Sequence, residues 1–282
     1  MNKKIIFLSI SVLSITGYSQ NIDKNDSNVV SITDTVKKQT LNEVVVSATR
    51  VNKNSPVAHE NITSDDIDKQ NHGVDLPILL DQATSVVTTS DAGGGVGYTG
   101  IRIRGSDATR VNVTINGIPL NDAESQGSFW VDLPDISSST ASIQIQRGVG
   151  SSTNGAGAFG ASINLNTLGS DGVKPFGEIS NSFGSFNTIK NTVRFGTGLL
   201  NNNWTFEGRL SQLKSDGYID RASSDLKSYY LSGGYVGDKT MLKAVVFSGH
   251  EKTYQAWNGV PVRYLDSSDA SLRTYNSYTY EN

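Results

Sequence analysis

Few residues in this sequence have the types and spacing that chemistry requires. The three histidines, His59, His72 and His250, are scattered, and no two have the spacing of a metal-binding helical pair. The chain contains no cysteine, which excludes disulfides, thiolate zinc sites and cysteine catalysis. Because no nucleophile, base and orienting group occur in a recognisable pattern, we predict no enzyme activity, no cofactor and no metal site.

The stretch Gly95–Gly100 has the glycine spacing of a dinucleotide-binding loop. In such a loop the last glycine opens a helix, whose N-terminus holds the pyrophosphate. Residues 101–104 instead alternate isoleucine and arginine, which predicts a strand. We therefore interpret the glycines as a loop ahead of a strand. The net charge of -3, from 24 basic and 27 acidic residues, predicts no basic surface for nucleic acid.

The first 50 residues have the features of an exported, tethered segment. In residues 1–19, two lysines precede an apolar run that is too short to span a bilayer, which is typical of a signal peptide. Residues 20–40 are polar and aperiodic, and they predict a flexible tether. Residues 41–50 contain three consecutive valines and predict a strand without a neighbouring hairpin partner. This strand is either an edge of the next domain or a docking strand captured by a partner's sheet.

Residues 51–168 predict an α+β domain. Thr63 or Ser64 caps one expected helix, and residues 75–82 form a second with Pro77 in its first turn. Alternating apolar residues predict strands in the rest of the domain. Asn116-Gly117, between two such runs, is the signal of a two-residue hairpin turn.

Residues 169–282 predict the antiparallel strands of an incomplete transmembrane β-barrel with its outer loops. Strands are expected near 176–184, 188–199, 203–214, 226–236 and 239–249, close to the roughly 9–11 residues that a tilted membrane strand requires. The short connections at 200–202 and 237–238 would be periplasmic, and those at 185–187, 215–225 and 250–282 would face outward. In the third strand Trp204, Phe206, Gly208 and Leu210 would face lipid, and Thr205, Glu207, Arg209 and Ser211 the interior. The alternative is a soluble β-sandwich, whose strands are usually shorter.

An ordered set of motifs resembles the TonB-dependent outer-membrane receptors. Glu43–Ala48 resembles their TonB box, and the following blocks resemble their plug domain: Leu76–Leu80, Ile103–Gly105, Ile115–Asp122, Ile145–Gly148 and Gly155–Asn166. The resemblance implies a 22-stranded barrel with the plug inside it. Five readable strands cannot close such a barrel, so we expect this chain to be the N-terminal part of a longer receptor.

The resemblance also implies a function and its residues. The family imports scarce ligands across the outer membrane, such as ferric siderophores or other metal chelates, with energy from a TonB-type protein. Its partners would be that protein, the small ligand and outer-membrane lipid. The implied TonB-docking residues are Glu43, Val44, Val45, Val46, Ser47 and Ala48, and the implied plug–barrel latch is Arg104 and Arg147. The implied ligand-facing candidates are Ser90, Asp91, Tyr98, Asn121, Asp122, Phe129 and Trp130.

Two other function classes stay open. A passive outer-membrane porin would need neither a plug nor a docking strand. A secreted β-rich adhesion or binding protein would not remain in the outer membrane.

Overall fold

The computed structural model describes residues 49–52, 54–150, 154–155, 157–167, 174–237, 240–254, 256 and 258–276. The predicted signal peptide, the tether and the strand Glu43–Ala48 lie outside the described residues. Within the described ranges, none of the helices has the length and apolar character needed to cross a membrane.

The N-terminal domain is built on a mixed five-stranded sheet. The described part of this domain contains seven strands, five in the main sheet and two in a separate one. They are β1 His59–Thr63, β2 Val86–Ser90, β3 Thr99–Ile103, β4 Val111–Ile115, β5 Ile118–Pro119, β6 Thr140–Arg147 and β7 Ala161–Thr167. The main sheet has the order β1-β6-β7-β4-β5, and β2 pairs with β3 in a separate two-stranded sheet. The β4–β7 pair is parallel, whereas the other neighbours are antiparallel. Gly100 lies inside β3, so the glycine-rich stretch leads into a strand as predicted.

Two helices lie in this domain at the predicted places. Helix α1, Ser64–Gln70, begins with a capping box, because Thr63 and Asp66 each accept a hydrogen bond from the other's backbone N–H. Helix α2, Leu76–Leu79, has Pro77 in its first turn and continues into the 3-10 turn Leu80–Gln82. The mixed sheet with its short helices confirms the α+β prediction.

The main sheet is covered on both faces, although β6 alternates apolar and polar residues. Its apolar face contributes Ile143 and Ile145, both fully buried, to the core. Gln144 and Gln146 on the other face are also buried, because residues 49–52 lie across them. The Gln144 side chain accepts from the backbone N–H of Val51 at 2.8 Å, and that of Gln146 donates to the Thr49 carbonyl at 2.7 Å. Hydrogen bonds to this segment therefore replace water at the polar face.

The hairpin between β4 and β5 has the predicted turn. Asn116 and Gly117 have φ values of 51° and 81°, and Ile115 pairs with Ile118. Both central residues are in the left-handed region that a type I′ turn requires.

Replacing Gly117 by valine is expected to lower the free energy of unfolding by about 1 kcal/mol or more, because a β-branched residue is strained at positive φ. Thermal unfolding of the protein should show a lower Tm. Gly117→Asn is the matched control, since asparagine tolerates this backbone conformation, and it should lose much less stability. Equal melting temperatures for Gly117→Val and the unmodified protein would contradict the importance of the turn.

The second sheet contains five antiparallel strands in sequential order. They are β8 Phe176–Gly184, β9 Thr188–Gly196, β10 Trp204–Ser215, β11 Ser224–Val236 and β12 Met241–Thr253. In the described chain β8 and β12 are the two edges, so the sheet stays open as predicted. β10 has the expected 12 residues, whereas β11 and β12 have 13 residues each, two more than expected. Residues 250–253, expected in a loop, continue β12 because they pair with residues 224–227 of β11.

The two ends of this sheet differ, and we name them by their connections. The short-turn end carries the connections 197–203 and 237–240, and the loop end carries 185–187, 216–223 and the segment after β12. Asn201 and Asn202 have positive φ in the tight turn at the short-turn end. The segment after β12 contains helix α3, Val262–Leu265, and the 3-10 turn Ala270–Arg273.

The two faces of the second sheet have opposite character. On β10 the side chains of Trp204, Phe206 and Leu210 are 48%, 47% and 57% exposed, whereas Thr205 and Arg209 are buried. At the short-turn end the rings of Trp204 and Tyr235 lie 4.8 Å apart, as in the aromatic girdles of membrane barrels. The alternation predicted from the sequence is therefore confirmed, with the N-terminal domain packed against the polar, inner face.

Candidate functional site

A buried charge cluster joins the N-terminal domain to the inner face of the second sheet. The Asp135 carboxylate lies 2.9 Å from Lys190 Nζ on β9 and 2.9 Å from Arg209 Nη1 on β10. Ser211, also on β10, donates its hydroxyl to the same carboxylate. Asp135 has a left-handed backbone (φ 51°, ψ 36°) directly before the 3-10 turn Ile136–Ser139. The cluster therefore contains one anion of the domain and two cations of the strands.

Further hydrogen bonds tie this cluster to helix α1 and β11. Lys190 Nζ donates to Asn71 Oδ1 at 2.6 Å and to Ser138 Oγ at 3.0 Å. Ser138 in turn donates to Asp135 at 2.8 Å. Arg209 donates to Ser228 Oγ on β11 at 3.0 Å. The hydrogen bonds and ion pairs of the cluster thus involve β9, β10 and β11 on the side of the second sheet. On the side of the N-terminal domain they involve the C-terminal end of α1 and the turn 136–139.

The electrostatics of Asp135 follow from its partners. Burial alone would raise the pKa of this carboxyl, but Lys190, Arg209 and the Ser211 hydroxyl outweigh it and hold the pKa below its usual value. The side chains of Asp135, Lys190 and Arg209 are each at most 5% exposed. Because loss of one partner leaves a buried charge uncompensated, such a cluster resists separation of its two sides.

A second buried carboxyl, Asp75, lies under the loop between β2 and β3. Its side chain accepts from Thr99 Oγ1 at 3.0 Å, and its backbone N–H donates to the Gly95 carbonyl at 2.8 Å. Burial raises the pKa of Asp75 well above its usual value, and the nearby Glu251 on β12 raises it further. Among the described residues, no group of three or more histidine, aspartate or glutamate side chains is arranged to hold a metal ion.

The loop 91–98 contains the candidates Asp91 and Tyr98, and Ser90 ends the strand before it. This loop packs against the loop end of the second sheet: a Cβ added to Gly93 would lie 3.3 Å from Ile219. Ser90 Oγ accepts from the Gly95 N–H at 3.0 Å and shapes the loop. Partial burial raises the pKa of Asp91. Tyr98 is 37% exposed.

The other candidate loop, residues 121–130, has mixed roles. Asn121 accepts from the Val113 N–H at 2.8 Å and donates to the Val111 carbonyl at 2.9 Å, so it supports β4. Asp122 accepts from two backbone N–H groups of its own loop, which lower its pKa. Trp130 is buried in the core, whereas Phe129 is 52% exposed. Ligand contact by either loop stays a prediction. Phe129 and Tyr98 are the aromatic candidates that are exposed and could therefore contact a ligand.

The two predicted latch arginines lie close together at the end of β6. Arg147 Nη1 is 2.9 Å from Glu60 Oε2 on β1, within the N-terminal domain. Arg104 is exposed, and a Cβ added to Gly148 would lie 3.3 Å from its Nη1. In the described chain the ion pairs between the N-terminal domain and the second sheet are made by Asp135 and Asp68. The latch role of both arginines stays a prediction.

Sequence reasoning missed Asp135, although one signal was present. Lys190, Arg194 and Arg209 are all at inward positions of β9 and β10, and a buried cation requires a nearby carboxylate. Arg194 lies 3.4 Å from Glu178 and 4.0 Å from Asp68. The three inward basic residues therefore indicated that carboxylates of the N-terminal domain lie nearby. They did not indicate which carboxylates these are.

The segment that follows the predicted docking strand is anchored to the main sheet by Arg50. Its guanidinium donates to Ser142 Oγ at 2.8 Å, to the Ser142 carbonyl at 2.9 Å and to the Asn164 carbonyl at 2.8 Å. Burial lowers the pKa of Arg50 to about 10. These bonds fix residues 49–52 on β6 and β7.

Comparison with known proteins identifies the N-terminal domain. Residues 51–162 match the TonB-dependent Receptor Plug Domain. The chain is 28% identical over 252 residues to lactoferrin-binding protein A of Neisseria meningitidis, covering 80% of this chain and 25% of that protein. The chain thus spans about a quarter of that relative's length.

Solved structures of outer-membrane receptors have a similar fold. The pyoverdine outer membrane receptor FpvA of Pseudomonas aeruginosa, bound to pyoverdine, superposes with a TM-score of 0.58 at 14% identity, covering 74% of this chain and 30% of that one. The siderophore receptor PirA of Acinetobacter baumannii superposes with a TM-score of 0.55 at 17% identity, covering 77% of this chain and 35% of that one.

These matches extend past the plug into the open sheet, whose strands are consistent with part of a receptor barrel. They also agree with the predicted outer-membrane location. Residues 51–162 therefore carry the plug domain of TonB-dependent receptors, and the antiparallel strands that follow it form an open sheet with the fold of part of a receptor barrel.

Proposed function

We propose that this chain is part of an active outer-membrane transporter for a scarce ligand, a metal chelate such as a ferric siderophore, with energy from a TonB-type protein. The observation that carries this proposal is the buried cluster of Asp135, Lys190 and Arg209. A pore whose plug is held by buried ion pairs does not open by diffusion of solute alone. Opening therefore requires energy to separate these ion pairs. A passive porin is not coupled to any energy source.

The anchor at Arg50 supports the route by which that work enters. The predicted docking strand Glu43–Ala48 is separated from Arg50 by one residue. A pull on the docking strand would be transmitted through Arg50 to β6 and β7, where it makes three hydrogen bonds. Arg147, at the end of β6, is part of the same sheet, which is consistent with its proposed role in a latch.

The position of the loop 91–98 supports the direction of transport. This loop contacts the loop end of the second sheet, and the longer connections of outer-membrane barrels face outward. A ligand arriving from outside would then meet Tyr98 and its neighbours first. The ligand class is supported by the similar solved structures, which are receptors for pyoverdine and other siderophores.

Uptake in an energised and a de-energised host tests this function. The full-length protein is expressed in outer membranes, and accumulation of radioactive iron chelates is measured with and without the host's TonB-type protein. We expect saturable uptake of at least one chelate in the first host and none in the second. Equal uptake in both hosts would indicate a porin, and loss of the protein from carbonate-washed outer membranes would indicate a secreted adhesion protein.

A further inference from the structure

The outward face of the second sheet carries a compact group of charges at the loop end. It consists of Lys214 on β10, Lys227 and Asp225 on β11, and His250 and Lys252 on β12. The four basic side chains are exposed. We call this group the cationic patch.

The strand register sets the patch in two adjacent rows. Lys227 pairs with Gln212 on one side and His250 on the other. One step nearer the loop end, Asp225 pairs with Lys214 and Lys252. The inward positions between the rows, Leu213 and Leu226, are buried, which confirms that the charged side chains share the outward face.

The charges of the patch do not cancel. Lys214 lies 3.2 Å from Asp225, whereas Lys227 and Lys252 form no ion pair within the described chain. Three lysines against one aspartate leave a net charge of +2 with His250 neutral (3 - 1). The patch thus has two cations available for an anionic partner.

An apolar groove begins directly beside the patch. Val193, Leu210 and Tyr229 point outward in the next row and are 41%, 57% and 40% exposed. Together with Gln212, Lys227 and His250 they line a concavity of about 530 Å³. A second concavity of about 530 Å³ at the loop end is lined by two lysines, two aspartates and one tyrosine: Lys214, Lys252, Asp216, Asp225 and Tyr254. The surface therefore changes from apolar to charged along the strand direction, with Lys227 and His250 at the boundary.

This arrangement matches the chemistry of an anionic amphiphile. Outward side chains of a membrane barrel contact acyl chains in the middle of the strand and headgroups near its ends. Lysines at that boundary are favourable beside anionic headgroups and unfavourable deeper in the hydrocarbon. The apolar groove beside the cations continues into the lipid-facing band of the sheet. A lipid can occupy both the cations and this groove, whereas binding of a protein partner does not require the two to be adjacent. We propose that the cationic patch binds a phosphorylated lipid of the outer leaflet, with phosphate at Lys227 and Lys252 and an acyl chain along the groove.

The proposal rests on the outer-membrane location of the chain and not on transport. Lipid binding to the purified full-length protein in detergent is therefore the test, measured by native mass spectrometry with diphosphorylated lipid A as the probe. Because each lysine beside an anionic surface contributes about 1 kcal/mol, Lys227→Gln should weaken binding about fivefold. Replacing Lys214, Lys227 and Lys252 together by glutamine should weaken it roughly a hundredfold.

The control lysine is Lys174, which is exposed and precedes β8 at the short-turn end. Lys174→Gln removes the same charge and should leave lipid binding unchanged. Dephosphorylated lipid A should bind the unmodified protein weakly, and inorganic phosphate at the same concentration should not displace the lipid.

Three results would overturn the proposal. They are equal lipid binding by the triple variant, equal binding of dephosphorylated lipid A, and displacement by inorganic phosphate alone. Copurification of a protein that is lost in the triple variant, with lipid binding unchanged, would assign this face to a protein partner instead. Chelate uptake is measured separately, so failure of transport would not affect this test.

Discussion

Replacement of Asp135 by asparagine is expected to loosen the plug from the barrel strands and to lower the free energy of unfolding by about 3–5 kcal/mol. The substitution keeps the size of the side chain but removes the charge that Lys190 and Arg209 share at 2.9 Å. Two buried cations then face a neutral amide, and Ser211 and Ser138 lose a charged acceptor. Stability is measured by urea titration of the full-length protein in detergent.

A single thiol can report the position of the plug. The chain has no cysteine, and Ser137 is 2% exposed with a hydroxyl that has no hydrogen-bond partner in the described structure. Ser137→Cys therefore introduces a unique, buried thiol with little loss of bonding. We expect maleimide to label this thiol slowly in the parent and much faster when Asp135→Asn is added.

The matched control is Asp68→Asn. Asp68 belongs to the plug and lies 4.0 Å from Arg194 of β9, but its side chain is 55% exposed. Since exposed ion pairs contribute at most about 1 kcal/mol, this substitution should change neither stability nor thiol labelling appreciably. Equal effects of Asp68→Asn and Asp135→Asn would show that the buried cluster has no special role.

The contribution of Asp135 to the free energy of unfolding should depend on pH, and its lowered pKa sets the direction. The folded-state pKa of Asp135 is lowered, so its contribution to stability is complete above the usual aspartate pKa of about 3.9 and is lost as the pH falls through the lower, folded-state value. The stability difference between the parent and Asp135→Asn should therefore shrink in acid. A difference that grows as the pH falls would contradict the assignment of Asp135 as the ionised partner.

The sequence predicted the elements whose signals are local. Asn116-Gly117 determines its own turn because both residues tolerate positive φ, and the alternation from Trp204 to Ser211 indicates which side chains face inward. The capping box at Thr63 is similarly contained within four residues. In each case the interactions responsible lie within a few residues along the chain.

The long-range contacts were less accessible to the same reasoning. Asp135 is separated from Lys190 and Arg209 by 55 and 74 residues (190 - 135 and 209 - 135), and nothing near Asp135 in the sequence identifies its partners. Gln144 and Gln146 alternate with isoleucines as solvent-facing residues would, yet residues 49–52 cover them. β12 extends past its predicted end at residue 249 because pairing with β11, rather than apolar character, determines where it stops.

Proline at Val45 is expected to abolish uptake by the full-length protein while leaving chelate binding intact. This prediction rests on the sequence, because Val45 lies outside the described residues. A docking strand binds its partner mainly through backbone hydrogen bonds, and proline removes one donor and fixes φ. Ligand binding should persist, because the loop 91–98 and the barrel strands are unchanged. The measurements are equilibrium binding of chelate to outer membranes and uptake by whole cells.

The control places the same substitution in the predicted tether. Val29→Pro changes a residue between 20 and 40, where no pairing with a partner is expected, and uptake should stay normal. Pull-down of the TonB-type protein should fail for Val45→Pro and succeed for Val29→Pro. Normal uptake by Val45→Pro would exclude Glu43–Ala48 as the docking strand. If uptake were lost but pull-down retained, the proline would act after docking, in transmission of the pull to the plug sheet, because the hydrogen bonds of Thr49 and Arg50 provide the first attachments to that sheet in the described chain.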